Sequence, residues 1–345
     1  MFCIAMKLSI QNVNFKGYDA LPLKGIYLEE SYCEPFVDEM KVIANQEGFE
    51  IKTAYDNDQW IQDDKTIIER ASKPFLIANG EVSDNFINEL KRHGIDGKRT
   101  TGFLSGGDTF IGKYPNGEKW ILTGEAVGAT VSKKAVSEAY EISEKNIFTL
   151  PKQNYHLDTF IRPVGYPYIL VNDFNLVDKN IQMLDDGTEE FEEYRRQYER
   201  FKRNLDEKYF GINTICNALV ARGFVPIKIA GVYGPEINFM NAIINKHQDG
   251  TLSYITNSSD TGNNDFYKKI QDRFQKDLEE KVPNLSKTYF VKGNEAQYQG
   301  KRFYGIGIEN KKPNPKLNNM MATLKYQGGG IHCMSLEEPD FQAWV

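Results

Sequence analysis

Segments with strand and helix character recur along this 345-residue chain in the order strand, strand, helix, strand. The period is roughly 70 residues, and the units share no visible sequence identity. Repeated supersecondary units of this kind stack side by side and can close into a ring. No proline- or serine-rich linker divides the chain. We therefore expect a single α/β domain over residues 1–345, built from strand-strand-helix-strand units.

Apolar periodicity and capping residues predict the individual elements. Ser83 and Ser132 are suited to cap helices, and Gly48 and Gly94 are suited to end them. Helices are predicted over residues 33–48, 83–94, the segment after Ser132, 188–222 and 264–280. Strands are predicted over residues 49–54, 74–78, 101–104, 120–122, 147–150, 168–171, 225–229, 239–244 and 288–291. Residues 309–318 are expected to form an exposed loop.

The predicted helical segment of about 186–222 is long and densely charged, and we interpret it as an insertion. Apolar side chains recur in it at helical spacing, at Phe191, Tyr194, Tyr198, Phe201 and Leu205. This stripe is typical of a face that packs against a core, rather than of a binding surface.

Composition narrows the range of functions. The net charge is −6, which argues against a surface that coats nucleic acid. No apolar run approaches the roughly 20 residues of a membrane span. The chain has 4 cysteines and 4 histidines, and neither set has the spacing of a metal site. We therefore expect a cytoplasmic protein without a metal or other cofactor, with secretion and homo-oligomer formation left open.

The C-terminal segment Gly328-Gly329-Gly330-Ile331-His332-Cys333 carries the first candidate for chemistry. Glycines let a backbone adopt positive φ and pass close to a ligand. A cysteine directly after such a turn is a candidate thiolate nucleophile, whereas the alternative is a buried, inert cysteine. The nucleophile interpretation requires a histidine and carboxylates elsewhere in the chain.

Two other segments supply those groups. His156 and Asp158 are separated by one residue in a segment predicted to be extended, so that both side chains lie on one face. Asp63 follows Trp60 closely, and a carboxylate beside an indole can bind a planar cation. Each motif alone is weak, since a surface loop or an ordinary turn would give the same residues. His93, His247 and His332 are interpreted as structural or surface residues.

In chain order these motifs resemble one known family. The motifs are Trp60-x-x-Asp63, Gly106-Gly107-Asp108, His156-x-Asp158, Asn238-Phe239 and Gly-Gly-Gly-Ile-His-Cys333. From about residue 50 to the C-terminus, the chain resembles the agmatine deiminase and Porphyromonas-type peptidylarginine deiminase family of the guanidino-group-modifying superfamily. The resemblance implies a pentein-type, five-bladed α/β propeller of ββαβ units with pseudo-fivefold symmetry.

The resemblance also implies roles for individual residues. Cys333 would attack the guanidinium carbon, and His156 would act as acid and then as base. Asp63 and Asp158 would hold the guanidinium nitrogens. The implied substrate-binding residues are Trp60, Asp63, Gly107, Asp158, Asn238 and Gly330. The expected partner is a small guanidino compound or an arginine-containing peptide, with no metal, nucleic acid or membrane involved.

The chain departs from the family pattern at two positions. Ser105 stands where most small-substrate members have a glutamate, and Gln62 stands where they have an arginine. Loss of that glutamate removes a charge that would bind a cation. Two alternatives to a deiminase therefore stay open. One is an amidinotransferase, and the other is a protein that binds a guanidino ligand without turnover.

Overall fold

The scaffold consists of five three-stranded mixed sheets and one two-stranded sheet in the part of the chain that the structure describes. The structure is a computed structural model, and it describes residues 21–29, 34–55, 60–151, 156–185, 187–205, 212–260, 265–293 and 330–343. In each three-stranded sheet the central strand pairs antiparallel with one neighbour and parallel with the other. At least one helix connects the central strand to its parallel partner, as a parallel crossover requires.

The first three sheets follow from the N-terminal side. Sheet one contains β1 (Leu23–Glu29), α1 (Glu34–Glu47) and β2 (Glu50–Ala54), and its antiparallel edge is β17 (Ser335–Pro339) from the other end of the chain. Sheet two contains β3 (Lys65–Arg70), β4 (Lys73–Ala78), α2 (Asp84–Arg92) and β5 (Asp96–Arg99). Sheet three contains β6 (Thr109–Lys113), β7 (Lys119–Thr123), α3 (Lys133–Tyr140) and β8 (Ile147–Thr149).

The remaining sheets follow in chain order. Sheet four contains β9 (Ile161–Pro163), β10 (Tyr168–Asn172), α4 (Phe174–Leu184), α5 (Glu189–Asn204), α6 (Ile212–Val220) and β11 (Val225–Ile229). A two-stranded ladder of β12 (Val232–Gly234) and β13 (Ile237–Asn238) comes next. Sheet five contains β14 (Ala242–Lys246), β15 (Leu252–Asn257), α7 (Asp265–Lys281) and β16 (Leu285–Val291). The repeated ββαβ unit is thus present, while closure of the sheets into a symmetric propeller remains a prediction.

Helix α2 shows how the sequence produces one such unit. Ser83 is its N-cap, and its Oγ accepts a hydrogen bond of 3.2 Å from the Phe86 amide. Phe86 and Leu90 lie on one face and are fully buried in the same apolar cluster as Leu76 of β4. Burial of each such side chain contributes about 1.5–3 kcal/mol, which fastens the helix to its sheet.

The charged segment after residue 186 contains two helices rather than the one that was predicted. α5 ends at Asn204, because its C-cap Leu205 turns to extended backbone, and α6 starts at Ile212. The preceding helix α4, capped by Asp173, was missed. Phe191, Tyr194 and Tyr198 are buried in the largest part of the core, which confirms the packing interpretation of the aromatic stripe.

Two predicted strands were wrong, and in both places side chains replace the ladder. Residues 101–104 form a turn, since Leu104 exchanges its backbone hydrogen bonds with the Tyr140 hydroxyl. The strand predicted over 239–244 begins only at Ala242, because Asn238 Oδ1 accepts hydrogen bonds from the amides of Met240 and Asn241. The loop predicted over 309–318 lies outside the described residues.

Within the described ranges, no helix combines the length and the apolarity that crossing a membrane would need.

Candidate active site

Cys333 is buried, with 4% of its surface exposed, in the turn that precedes β17. Its thiol donates a hydrogen bond to Asp158 Oδ2 at 3.2 Å, and its Sγ accepts one from Asn241 Nδ2 at 3.1 Å. Burial first, and then the carboxylates of Asp158 and Asp63, raise the pKa of the thiol well above its usual range. The thiol is therefore protonated at neutral pH until a positive charge enters the site.

Asp158 lies on a 3₁₀ turn over residues 157–159, and the strand predicted for the His156 segment is wrong. The turn forms because the amide and hydroxyl of Thr159 both donate to the His156 carbonyl oxygen, at 3.2 and 2.6 Å. The Leu157 amide donates to Asp108 Oδ1 at 3.0 Å, which anchors the turn to the Gly106–Asp108 segment. Asp158 is fully buried at its centre.

His156 contacts Asp63 across the same site. Its Nδ1 lies 3.5 Å from Asp63 Oδ1, and the two side chains are 34% and 24% exposed. A Cβ atom at Gly107 would meet this Nδ1, so the glycine leaves the space in which the ring lies. His156 and Asp63 are therefore the accessible half of the site, while Cys333 and Asp158 are its buried half.

A short turn connects Asp63 to the cysteine segment. The Asp63 amide donates to the Trp60 carbonyl oxygen at 2.9 Å, and the Gln62 amide donates to the Cys333 carbonyl oxygen at 3.3 Å. Trp60 is half-buried against the apolar cluster that includes Met334. This backbone pairing brings residues that are far apart in sequence to one place.

One atom each of Asp63, His156 and Cys333 lie within 4.8 Å of one another. Together with Asp158, all four residues predicted to be catalytic are thus in mutual contact. A thiolate, an imidazole and a carboxylate at this spacing can interact with a planar cation. They are also ligand types that bind zinc, so a metal ion is a second possible occupant.

Sequence reasoning missed two residues of this site, and the first is His332. It was predicted to be structural or at the surface, which is a correction, because its Nδ1 lies 2.7 Å from Asp158 Oδ2. Its position next to Cys333 was the available signal. The second is Asn241, whose Nδ2 also donates to Asp158 Oδ2, at 2.7 Å. No sequence signal distinguished it from Asn238, three residues earlier.

A network of asparagines supports the cysteine turn. Asn257 Nδ2 donates to the carbonyl oxygens of Asn238 and Asn241, and its Oδ1 accepts from the Ile331 amide at 2.9 Å. A Cβ atom at Gly330 would lie 2.6 Å from Asn257 Nδ2, so glycine is needed for close packing here. Asn238 itself donates to the Thr159 carbonyl oxygen at 3.1 Å. Its side chain therefore positions the backbone around the site.

The two departures from the family pattern are in different surroundings. Ser105 is half-buried at the start of the Gly106–Asp108 turn. The side-chain amide of Gln62 lies 3.0 Å from His332 Nε2. Gln62 thus contacts the residue that holds Asp158, whereas Gly328 and Gly329 lie outside the described residues.

Solved structures with the same fold are agmatine deiminases. The agmatine deiminase of C. jejuni is 16% identical with a TM-score of 0.50, and the match covers 92% of this chain and 93% of that one. The agmatine deiminase of Enterococcus faecalis is 13% identical with a TM-score of 0.50, and the match covers 93% and 94%. No protein-family model and no curated protein matches the sequence. The predicted resemblance is confirmed at the level of the α/β fold.

Proposed function

We propose that this protein is a guanidine deiminase, which hydrolyses a guanidino group to a ureido group and releases ammonia. The supporting observation is the meeting of Cys333, His156 and Asp63 within 4.8 Å, with the thiol hydrogen-bonded to Asp158. A sulfur nucleophile, an acid-base group and two carboxylates are the groups that this reaction needs. We propose in addition that the five sheets are the blades of a propeller around this site, within one domain.

The first half-reaction makes a bond between sulfur and carbon. Asp63 and Asp158 bind the guanidinium by charge-assisted hydrogen bonds, and its positive charge lowers the pKa of the Cys333 thiol. The thiol proton passes to His156, and the thiolate attacks the guanidinium carbon. The Asn241 amide donates to Sγ and stabilises the thiolate. His156 then protonates the departing nitrogen, and ammonia leaves a cationic thiouronium on Cys333.

The second half-reaction consumes water. His156, now neutral, takes a proton from a water molecule that attacks the thiouronium carbon. Collapse of this adduct breaks the carbon–sulfur bond, and the product leaves as a ureido compound. The proton returns to Cys333, so the overall reaction turns one guanidinium and one water into a ureido group and an ammonium ion.

The proposed substrates are agmatine, free arginine and arginine within a peptide. Citrullination of peptides and a step toward putrescine are the corresponding biological roles. Two carboxylates at the site favour a cation, while Ser105 supplies no charge at its position. A substrate with its own additional contacts, such as a peptide, would compensate for that missing charge.

The test is a colorimetric ureido assay of pure protein with agmatine, arginine and an arginine-containing peptide. Turnover should appear with at least one of them, and Cys333→Ala should abolish it. Cys216→Ala is the matched control, because Cys216 is a buried free cysteine in a different apolar cluster. Absence of product with all three substrates would contradict the proposal.

The same assay separates the two alternatives. Added glycine or ornithine that is converted to a new guanidino compound would indicate an amidinotransferase. Binding of the guanidino compound by calorimetry, without ammonia release, would indicate a protein that only binds it.

A further inference from the structure

His332 lies behind the carboxylate that faces the nucleophile. Its side chain is 3% exposed, and its Nδ1 is 2.7 Å from Asp158 Oδ2. Its backbone amide donates to Asn241 Oδ1 at 2.8 Å, so the residue cannot shift without moving Asn241 as well. The proposed reaction uses Asp158 but assigns no task to this imidazole.

The outer side of the ring is also occupied by polar groups. The Gln62 amide lies 3.0 Å from Nε2, and Glu337 Oε1 lies 3.6 Å from it. The Gln62 amide can also be turned so that its nitrogen donates to the carbonyl oxygens of His332 and Ser335. In either orientation Nδ1 carries a hydrogen, because it faces a carboxylate oxygen that needs a donor.

Asp158 uses its two oxygens very unequally. Its Oδ2 is contacted by three donors, which are His332 Nδ1, Asn241 Nδ2 and the Cys333 thiol. Its Oδ1 is buried and has no hydrogen-bond partner among the described residues. An acceptor left in this state is costly unless a ligand supplies a donor.

We infer that His332 is a positioning residue that holds Asp158 Oδ2 through Nδ1–H and thereby keeps Oδ1 available for the guanidinium. This inference rests on the proposed function, because it assigns the free oxygen to the substrate. The hydrogen bond also draws negative charge away from the sulfur. Since Asp158 raises the pKa of the Cys333 thiol, loss of the His332 donor should raise it further.

Two substitutions separate the donor from the ring. In His332→Asn the side-chain amide can reach the position of Nδ1, whereas in His332→Gln it reaches toward Nε2 and Gln62. The first readout is the pH profile of iodoacetamide alkylation at the Cys333 peptide, followed by mass spectrometry. The second is kcat and KM in the ureido assay. Thermal unfolding checks that each variant is folded, and His332→Leu replaces the Gln variant if that one does not fold.

The donor role predicts that His332→Asn resembles the wild type in both readouts. His332→Gln should shift the alkylation profile to higher pH and lower kcat/KM by about ten- to a hundredfold. Equal profiles for the Asn and Gln variants would overturn the inference. Alkylation does not require turnover, so an inactive wild type would contradict the proposed function and leave the alkylation test valid.

A measurement on the wild-type protein needs no variant. Nitrogen-15 NMR of the His332 ring should show the hydrogen on Nδ1 at neutral pH. A ring that carries its hydrogen on Nε2 alone would overturn the inference.

Discussion

A Cβ atom at Gly107 would lie 2.2 Å from His156 Nδ1 and 2.8 Å from its Cγ. The ring and the glycine thus occupy one space, and any side chain at position 107 must displace the imidazole. Gly107→Ala should therefore lower kcat/KM by about a hundredfold or more, since a displacement near 1 Å costs that much. Steady-state kinetics in the ureido assay measures the effect.

Gly80→Ala is the matched control for this substitution. A Cβ atom there would meet no other atom within 4 Å, so the change should leave activity as it is. If Gly107→Ala were as active as Gly80→Ala, His156 would not be the acid-base group.

Asn241 donates from one amide nitrogen to both Asp158 Oδ2 and Cys333 Sγ. Asn241→Asp replaces this donor with a carboxylate beside the sulfur, which should raise the pKa of the thiol further. We expect a loss of at least about a hundredfold in kcat, because both the donor and the thiolate are affected. The alkylation rate of Cys333 at neutral pH should fall in parallel.

Asn146→Asp provides the comparison for a buried asparagine. Its side chain donates to the Lys119 carbonyl oxygen, and the change should lower the free energy of unfolding with little effect on kcat of the folded protein. Equal losses of kcat in both variants would show that Asn241 acts through stability alone.

Burial and the nearby Arg162 lower the pKa of His332 below its usual range, although Asp158 and Glu337 oppose this. The unfolded chain then binds a proton more readily than the folded one as the pH falls below about 6.5. The free energy of unfolding should decrease there by up to about 1.4 kcal/mol per pH unit from this residue. Urea unfolding at a series of pH values measures the slope.

His332→Asn should reduce that acid slope, whereas substitution of the exposed His93 by Asn should preserve it. An unchanged slope in His332→Asn would mean that the imidazole is already protonated in the folded protein.

Asp63, His156 and Cys333 lie close enough together to bind a metal ion. The deiminase proposal predicts that dialysis against a chelator leaves turnover unchanged. Added Zn²⁺ should inhibit, because it would occupy the thiolate and the imidazole. Loss of activity on chelation that returns with a metal would contradict a metal-free reaction.

Local patterns were sufficient for much of the fold. The Ser83 cap, the buried Phe86 and Leu90, and the aromatic stripe of α5 all follow from periodicity within one segment. The 101–104 strand and the start of β14 were mispredicted because Tyr140 and Asn238 satisfy the backbone there. Such side-chain partners depend on tertiary contacts that periodicity does not record.

The site shows the same division. Cys333, His156, Asp158 and Asp63 could be selected from motifs, whose residue types are limited by the chemistry. Asn241 and His332 could not, because their importance comes from contacts with Asp158, and that turn was predicted as a strand.

The central claim is that the Cys333 sulfur forms a bond to the guanidinium carbon. Acid quenching during turnover, digestion and mass spectrometry of the Cys333 peptide test it directly. The account predicts a thiouronium adduct on this peptide with wild-type protein, and none on the Cys216 peptide. Ureido product formed by Cys333→Ala, or turnover of the wild type with no adduct on this sulfur, would contradict it.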